Sequence, residues 1–382
     1  MTGTITVQTG SRPALNTQNG FGTNVAMDEL GLRIAVGAPN ADSDGAFNGP
    51  GAVYIYTRTG SSWGSEIKIT NPGPAATSLS LMQYQDGFGT SVDMTPDGQY
   101  LVVGAPFNDT TGTDNSGKVY LFQRTGTDWS LSATLTSSDR DRYGTDVTIS
   151  DNGLRIATAC IDAADSGNSC VDVWHYGDDE TETWARVKSW EETDEYYGSG
   201  TTSSTSGTKV AFSGDGQTLV IGDPGWNTGT GAVHITEYIE GTWTARNGAT
   251  FAGYYFIYAG TPRLALGTDV NVNTDGSIIT VGIPGYPGTG VSNGKLEQGG
   301  FIQLVRSGGN YYFTGDTTAQ YNPNTSNLTV HQTAGPGDDE HVGKSVAISD
   351  DGFYVIAGGD EYPDSSGPDT GGRTLIAKAS NA

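Results

Sequence analysis

Alternating apolar and polar positions recur along the chain in short runs that are separated by glycine-rich turns. Each run places a hydrophobic side chain at every second residue, as in Val25 and Met27 or Val92 and Met94. This period of two indicates strands with one buried face, because successive side chains of a strand point to opposite sides. No segment shows the period of an amphipathic helix, so the pattern predicts an all-β protein.

The runs belong to a unit that occurs six times. Its opening motif is FGTNV, FGTSV, YGTDV, SGTKV, LGTDV or VGKSV, and the six copies begin at Phe21, Phe88, Tyr143, Ser206, Leu266 and Val342. A second glycine, usually after Asp or Asn, predicts a two-residue hairpin turn into the second strand. A loop, a third strand and a fourth strand that begins near an aromatic residue complete the copy. Four antiparallel strands repeated at about 40–60 residues are typical of β-propeller blades.

The two ends of the chain suggest how the propeller closes. The sixth copy stops after its third strand, whereas a lone strand, Ile5 to Gln8, precedes the first copy. We predict that this N-terminal strand, residues 4–8, completes the last blade. Closure removes the exposed strand edges of an open sheet. The expected architecture is one closed six-bladed β-propeller of four-stranded antiparallel blades, a single domain over residues 1–382.

Composition narrows the choice of partners. Glycine makes up 57 of 382 residues, about twice the usual ~7%. The 19 basic and 43 acidic residues give a net charge of −24, which disfavours nucleic acid and anionic membranes. No apolar run reaches the ~18 residues of a membrane span, so we expect no membrane insertion. No signal peptide is visible at the N-terminus, so the expected location is extracellular or on a virion surface, reached without one.

The repeated residues resemble a known family. FG, an Asp-Gly turn, VGAP, G-x-V-Y and a Trp-bearing turn are similar to the FG-GAP β-propeller repeat of integrin alpha chains, and especially to its bacterial and phage variant. Copy three departs from the pattern, with Ala159, Cys160 and Ile161 in place of GAP. The resemblance implies adhesion, recognition or assembly. It also implies calcium loops between the first two strands, but the tight hairpins predicted here leave too few oxygen ligands for calcium.

A different loop fits a cation better. Asn40, Asp42, Asp44 and Asn48 follow the first GAP with oxygen side chains at alternating positions and a glycine for the turn. This pattern is typical of calcium loops, so we predict any calcium here and no other cofactor. The alternative is a solvated polar loop rich in turn-forming residues.

The two cysteines, Cys160 and Cys170, flank one hairpin loop of the third copy. Their side chains are expected to approach disulfide distance. The alternative is a pair of reduced, partly buried thiols, as expected in the cytosol.

The sequence offers no catalytic motif. No segment forms the strand-to-helix elbow of G-x-S-x-G hydrolases, because no helix is predicted, and there is no phosphate-binding loop and no pair of histidines at metal-ligating spacing. We therefore predict that the chain is not an enzyme.

Aromatic residues mark the surface that we expect to bind a partner. The loops between second and third strands contain Phe47, Phe107, Trp226, Tyr286 and Tyr362. Strand direction places these loops on the same face as the long connections between blades, and loops on a rigid scaffold often carry function. The alternative is that each ring is buried under its own loop.

The predicted function is recognition, adhesion or assembly through this face, with a protein or glycan partner on a virion or cell surface. A phage fibre, knob or decoration protein fits best. The alternatives are a carbohydrate-active hydrolytic or lyase propeller, with its site at the central channel, and a bacterial cell-surface adhesin. Convergent carboxylates of raised pKa at the channel would favour the enzyme.

Overall fold

In the residues that the computed structural model of this chain describes, six antiparallel sheets contain all of the named strands. The structure describes residues 19–41, 49–64, 66–73, 86–108, 116–162, 169–177, 182–191, 207–246, 251–252, 264–286, 299–313, 341–359 and 373–378. One helical turn, α1 (Trp226–Gly229), is the only helix in these ranges. The six sheets are the blades of a six-bladed β-propeller fold, so the predicted fold class is confirmed.

The chain divides into two compact units, and the first, Met1–Thr136, contains two blades. Blade 1 consists of β1 (Val25–Met27), β2 (Arg33–Ala38), β3 (Ala52–Thr59), β4 (Ser62–Trp63) and β5 (Ile67–Thr70). Both β4 and β5 pair with β3. Blade 2 consists of β6 (Ser91–Met94), β7 (Tyr100–Ala105), β8 (Lys118–Thr125) and β9 (Asp128–Leu135), paired in chain order.

The second unit, Ser137–Ala382, contains four blades with the same strand order. Blade 3 has β10 (Arg140–Ile149), β11 (Arg155–Asp162), β12 (Ser169–Tyr176) and β13 (Trp184–Glu191). Blade 4 has β14 (Lys209–Phe212), β15 (Thr218–Asp223), β16 (Ala232–Ile239), β17 (Thr242–Ala245) and β18 (Phe251–Ala252). Blade 5 has β19 (Val270–Val272), β20 (Ile278–Gly282), β21 (Phe301–Ser307) and β22 (Asn310–Phe313). Blade 6 has β23 (Ser345–Ile348), β24 (Tyr354–Gly359) and β25 (Arg373–Lys378) in its described part.

The FG and GAP motifs meet where neighbouring blades pack. A Cβ atom on the GAP glycine Gly37 of blade 1 would overlap the carbonyl oxygen of Gly89, the FG glycine of blade 2. The second unit repeats this contact between Gly222 and Gly267 and between Gly282 and Gly343. The two motifs are therefore the two sides of one close backbone approach. In blade 3, Ala159 replaces the GAP glycine, as the sequence of copy three shows.

The Asp-Gly turns differ from the prediction. In blade 2, Thr95 and Tyr100 are paired by their main chains, so four residues connect the strands. Gly98 has a positive φ of 61°, whereas Asp97 does not have a positive φ. The Asp97 carboxylate accepts hydrogen bonds from the Thr95 hydroxyl at 2.7 Å and the Gln99 N–H at 2.9 Å. The predicted two-residue turn is wrong because these side-chain bonds stabilise a longer turn, in which only the glycine needs left-handed backbone.

Blade 3 buries an ionic network in place of part of an apolar core. Tyr143 stands where blades 1 and 2 have the phenylalanine of FG, and its hydroxyl donates to Asp172 at 3.2 Å. Asp172 is fully buried, and it also accepts from Arg186 at 2.9 Å and from the Ser189 hydroxyl at 2.5 Å. Burial, followed by the charge of Asp172, raises the pKa of Tyr143 well above its ordinary value. The hydroxyl group that distinguishes Tyr143 from phenylalanine is thus hydrogen-bonded to a buried carboxylate.

Two sequence predictions concern parts that the structure leaves undescribed. The closing strand, residues 4–8, lies outside the described residues, so closure of the last blade stays a prediction. The single-domain assignment likewise stays a prediction. Among the described helices, none is long and apolar enough to cross a membrane.

Candidate functional site

The first strands of the blades carry a row of polar side chains at one position. This is the fourth residue of each opening motif, and the row comprises Asn24, Ser91, Asp146, Lys209, Asp269 and Ser345. Three of these side chains accept a hydrogen bond from a main-chain N–H of the next blade. The pairs are Asn24 with Val92 at 3.3 Å, Asp146 with Val210 at 2.9 Å, and Asp269 with Val346 at 2.7 Å. The row therefore ties first strands to one another.

In the second unit this row becomes a charged cluster of Asp146, Lys209 and Asp269, which we call the acid–lysine cluster. The Lys209 ammonium lies 3.0 Å from Asp146 Oδ1, with the side chains 29% and 10% exposed, respectively. The charge of Asp146 raises the pKa of Lys209, so the lysine stays protonated. Burial raises the pKa of Asp269 to about 6, against the lowering effect of Lys209.

This geometry has a definite chemical capacity. A carboxyl group with a pKa near 6 exchanges its proton close to neutral pH, as a general acid or base must. The positive charge of Lys209 acts on this carboxyl group and lowers its pKa. The sequence analysis missed these residues, although the aligned repeats contain the signal: the fourth motif position changes from Asn or Ser to charged residues in copies three to five.

The loops between second and third strands emerge beside the start of the next blade, and we call this the loop end of a blade. In the first unit Gly51, after the loop of blade 1, bridges to Phe88 of blade 2. In the second unit Gly231 bridges to Leu266 and Gly299 bridges to Val342. These main-chain contacts anchor each loop to the connection that follows it. The opposite end, with the Asp-Gly turns, is called the hairpin end.

The predicted aromatic residues occupy two different positions at the loop ends. Trp226 and Tyr286 are half-buried, and the carbonyl group of each accepts the N–H of a glycine that closes the loop, at 3.1 Å and 3.0 Å. In blade 2 the residue with this bond is Asn108, at 3.0 Å, so Phe107 lies one residue earlier. Phe107 is 37% exposed. Tyr286 packs against the buried core of blades 4 and 5.

The remaining predicted residues are only partly described. Phe47, Tyr362, Asp42, Asp44 and Asn48 lie outside the described residues. The N–H of Asn40 donates to the Asn19 carbonyl at 3.2 Å, and its own carbonyl accepts from Gly49 at 3.3 Å. In the described ranges no three His, Cys, Asp or Glu side chains are grouped closely enough to hold a metal ion. The calcium site at residues 40–48 stays a prediction.

The cysteines lie opposite each other on β11 and β12. Cys160 and Cys170 are register partners with Cα atoms 4.9 Å apart, within the range of disulfides, and the structure joins their sulfur atoms. Both residues are buried.

The sequence of blade 2 matches a known family. Residues 82–122 match the FG-GAP repeat. The match covers the first three strands of blade 2. With six blades of the same design, the predicted resemblance to FG-GAP propellers is confirmed. No curated protein sequence matches the chain.

Two solved structures resemble this chain in fold. A periplasmic gluconolactonase of Pseudomonas aeruginosa is 13% identical, with a TM-score of 0.48, over 94% of this chain and 85% of that one. A Bacteroides uniformis protein assigned as a 6-phosphogluconolactonase has the same identity and TM-score, over 91% and 79% of the two chains. At this identity the likeness concerns the fold alone.

These structures contradict our prediction that the chain is not an enzyme, since both carry the names of enzymes. The prediction rested on the absence of short catalytic motifs. That reasoning fails for a propeller, because its side chains can converge from separate blades without any linear motif. The acid–lysine cluster shows that charged side chains from three blades interact in this chain.

Proposed function

We propose that this FG-GAP propeller is a recognition module that binds a protein or glycan partner through the loop ends of its blades. The architecture of FG-GAP repeats supports a binding module. The observation that carries the finer proposal is the exposure of Phe107 on a loop with a fixed main chain. The Phe107 N–H donates a hydrogen bond of 3.1 Å to the carbonyl of Asp86, in the connection that precedes blade 2. An aromatic ring on a fixed backbone is a typical recognition anchor.

The charge of the chain limits the chemistry of the partner. With a net charge of −24, long-range forces favour a neutral or basic surface over an acidic one. Neutral or amino-sugar glycans and basic proteins satisfy this condition. A virion or cell surface remains the proposed setting, and the comparisons add no support for a phage origin.

Array binding of labelled protein tests the proposal. The chain is applied to immobilised glycans and to immobilised basic proteins, together with Trp226→Ala and, as a control, Leu154→Ala. Leu154 is 44% exposed and lies at the hairpin end of blade 3, in the same unit as Trp226. We expect Trp226→Ala to weaken the binding seen with the wild type and Leu154→Ala to leave it unchanged. Equal binding by both variants would contradict the proposal.

A second candidate function is hydrolysis at the acid–lysine cluster. The observation that favours it is that Asp269, whose pKa burial raises to about 6, interacts electrostatically with Lys209, which the charge of Asp146 keeps protonated. Asp269 would transfer the proton, and Lys209 would stabilise negative charge that develops on the substrate.

A panel of chromogenic glycosides, esters and lactones tests this candidate. We expect turnover of at least one substrate to fall by about 100-fold or more in Asp269→Asn, the usual loss when a general acid–base is removed. Asp275→Asn, a change at the exposed hairpin end of the same blade, is the matched control. No turnover by the wild type, or equal turnover by Asp269→Asn, would eliminate the candidate.

A further inference from the structure

Blade 3 has an asparagine in its hairpin turn, where the other blades of the second unit have an aspartate. Asn152 precedes Gly153, and the aligned residues of blades 4 to 6 are Asp215, Asp275 and Asp351. Each of these three carboxylates accepts the N–H of the residue two positions later, at 2.9 or 3.0 Å. Asn152 Oδ1 accepts the same bond from the Leu154 N–H, at 3.0 Å. The turn of blade 3 therefore resembles its neighbours, with an amide in place of the carboxylate.

Asparagine followed by glycine is a chemically labile pair. The main-chain nitrogen of the glycine can attack Cγ of the asparagine, and glycine has no Cβ atom to hinder the approach. Two such pairs lie within the described residues, at Asn19 and at Asn152, and three further pairs include residues outside them. Asn19 is 1% exposed, whereas Asn152 is exposed at the hairpin end of blade 3. Of the two, only Asn152 is open to water and hydroxide.

The hydrogen bonds of the turn favour attack on the Asn152 side chain. Oδ1 accepts a second hydrogen bond from the Ser150 hydroxyl, at 2.8 Å. Two donors therefore face the oxygen that becomes negatively charged when Cγ is attacked, as the donors of an oxyanion hole do. The bond from Leu154 closes a ring of atoms that includes both Cγ and the Gly153 nitrogen. The Gly153 N–H donates to the Ser150 carbonyl at 2.8 Å, and local opening of this exposed turn frees the nitrogen.

We propose that Asn152 is a site of spontaneous deamidation, which gives blade 3 the aspartate that the turns of blades 4 to 6 contain. The Gly153 nitrogen loses its proton to hydroxide and bonds to Cγ of Asn152, and Cγ releases Nδ2 as ammonia. Water then adds to Cγ of the cyclic imide and breaks its bond to the Gly153 nitrogen, which regains a proton. Cleavage at the other carbonyl of the imide gives isoaspartate instead. Either product adds one negative charge to the net charge of −24.

Peptide mapping by mass spectrometry tests the site. The full chain is kept at pH 8 for several weeks, and aspartate and isoaspartate are measured together at positions 152 and 19. We expect the rate at Asn152 to exceed the rate at Asn19 by about tenfold or more, because a larger opening of the protein must first expose Asn19.

The urea-denatured chain is the control, because both pairs should react there at similar rates once burial no longer protects Asn19. An Asn152 that stays unmodified in the native protein would overturn the proposal. Equal native rates at the two positions would overturn it as well, because the reaction would then depend on unfolding and not on the exposed turn.

Two substitutions test whether blade 3 accepts the aspartate product. Asn152→Asp should unfold at the Tm of the wild type or above it, because three turns of the same unit contain aspartate with the same hydrogen bond. Asn152→Ala removes the acceptor of both bonds and should lower the Tm by about 1–2 °C. A lower Tm for Asn152→Asp than for the wild type would show that the turn does not accept the product, and would overturn the conversion.

Discussion

Replacing Asp269 by asparagine should stabilise the protein in alkaline but not in acidic solution. Burial raises the pKa of this carboxyl group to about 6, so ionisation of Asp269 opposes folding. A group with a raised native pKa contributes its full stability below its unfolded pKa and loses it as the pH rises through the native value. Asparagine keeps an oxygen for the Val346 N–H and removes the charge.

The size of the effect follows from the pKa values. An aspartate in an unfolded chain titrates near 3.9, so a native pKa of about 6 corresponds to roughly 3 kcal/mol. Because Asp269 keeps some contact with solvent, we expect about 1–3 kcal/mol at pH 8 and about zero at pH 4. For a chain of this length, that is a rise in Tm of about 1–4 °C.

Thermal unfolding at pH 4, 6 and 8 measures the effect. Asp275→Asn is the control, because hydrogen bonds, first of all from Ser277, lower the pKa of Asp275. The stability that Asp275 contributes is present above its unfolded pKa, so the Asp275→Asn substitution should lower the Tm at pH 8. A shift for Asp269→Asn that is the same at pH 4 and pH 8 would refute the assigned environment of this residue.

Three further predictions concern the packing between blades, the disulfide bond and calcium binding. Gly222→Ala should lower the Tm by several degrees or prevent folding, because the new methyl group meets the backbone of the next blade, and a wild-type melt would contradict this packing. Mass spectrometry under non-reducing conditions should find Cys160 joined to Cys170, and reduction should cost about 2–3 kcal/mol of stability; free thiols would disprove the bond. In calorimetric titrations, any calcium binding by the wild type should be lost in the double variant Asp42→Ala, Asp44→Ala. Binding that the double variant retains would show that calcium binds at a different site.

The repeat pattern was sufficient to predict the blades but not the contacts between them. Alternation of apolar residues identifies strands such as β6, and the repeated motif gives the number of blades. The role of Gly37 depends on a backbone from another blade, which no local pattern reveals. The turn type was mispredicted because the Asp97 carboxylate selects it through hydrogen bonds to Thr95 and Gln99.

The candidate site was harder to predict than the fold. Phe107, Trp226 and Tyr286 were found as loop aromatics, yet their different exposure depends on a one-residue offset relative to the glycine that closes each loop. The acid–lysine cluster needs side chains from three blades. Such sites arise from tertiary packing, so sequence spacing within a single repeat cannot identify them.

The central claim, recognition through the loop ends, is tested most directly by two phenylalanine variants. Phe107 at a loop end and Phe353 at a hairpin end are 37% and 41% exposed, so both truncations to alanine remove a similar exposed ring. The measurement is the affinity of each variant for the partner that the array identifies. Our account predicts that Phe107→Ala weakens binding by about tenfold or more, and that Phe353→Ala stays within about twofold of the wild type. The reverse order, or equal losses in both variants, would contradict it.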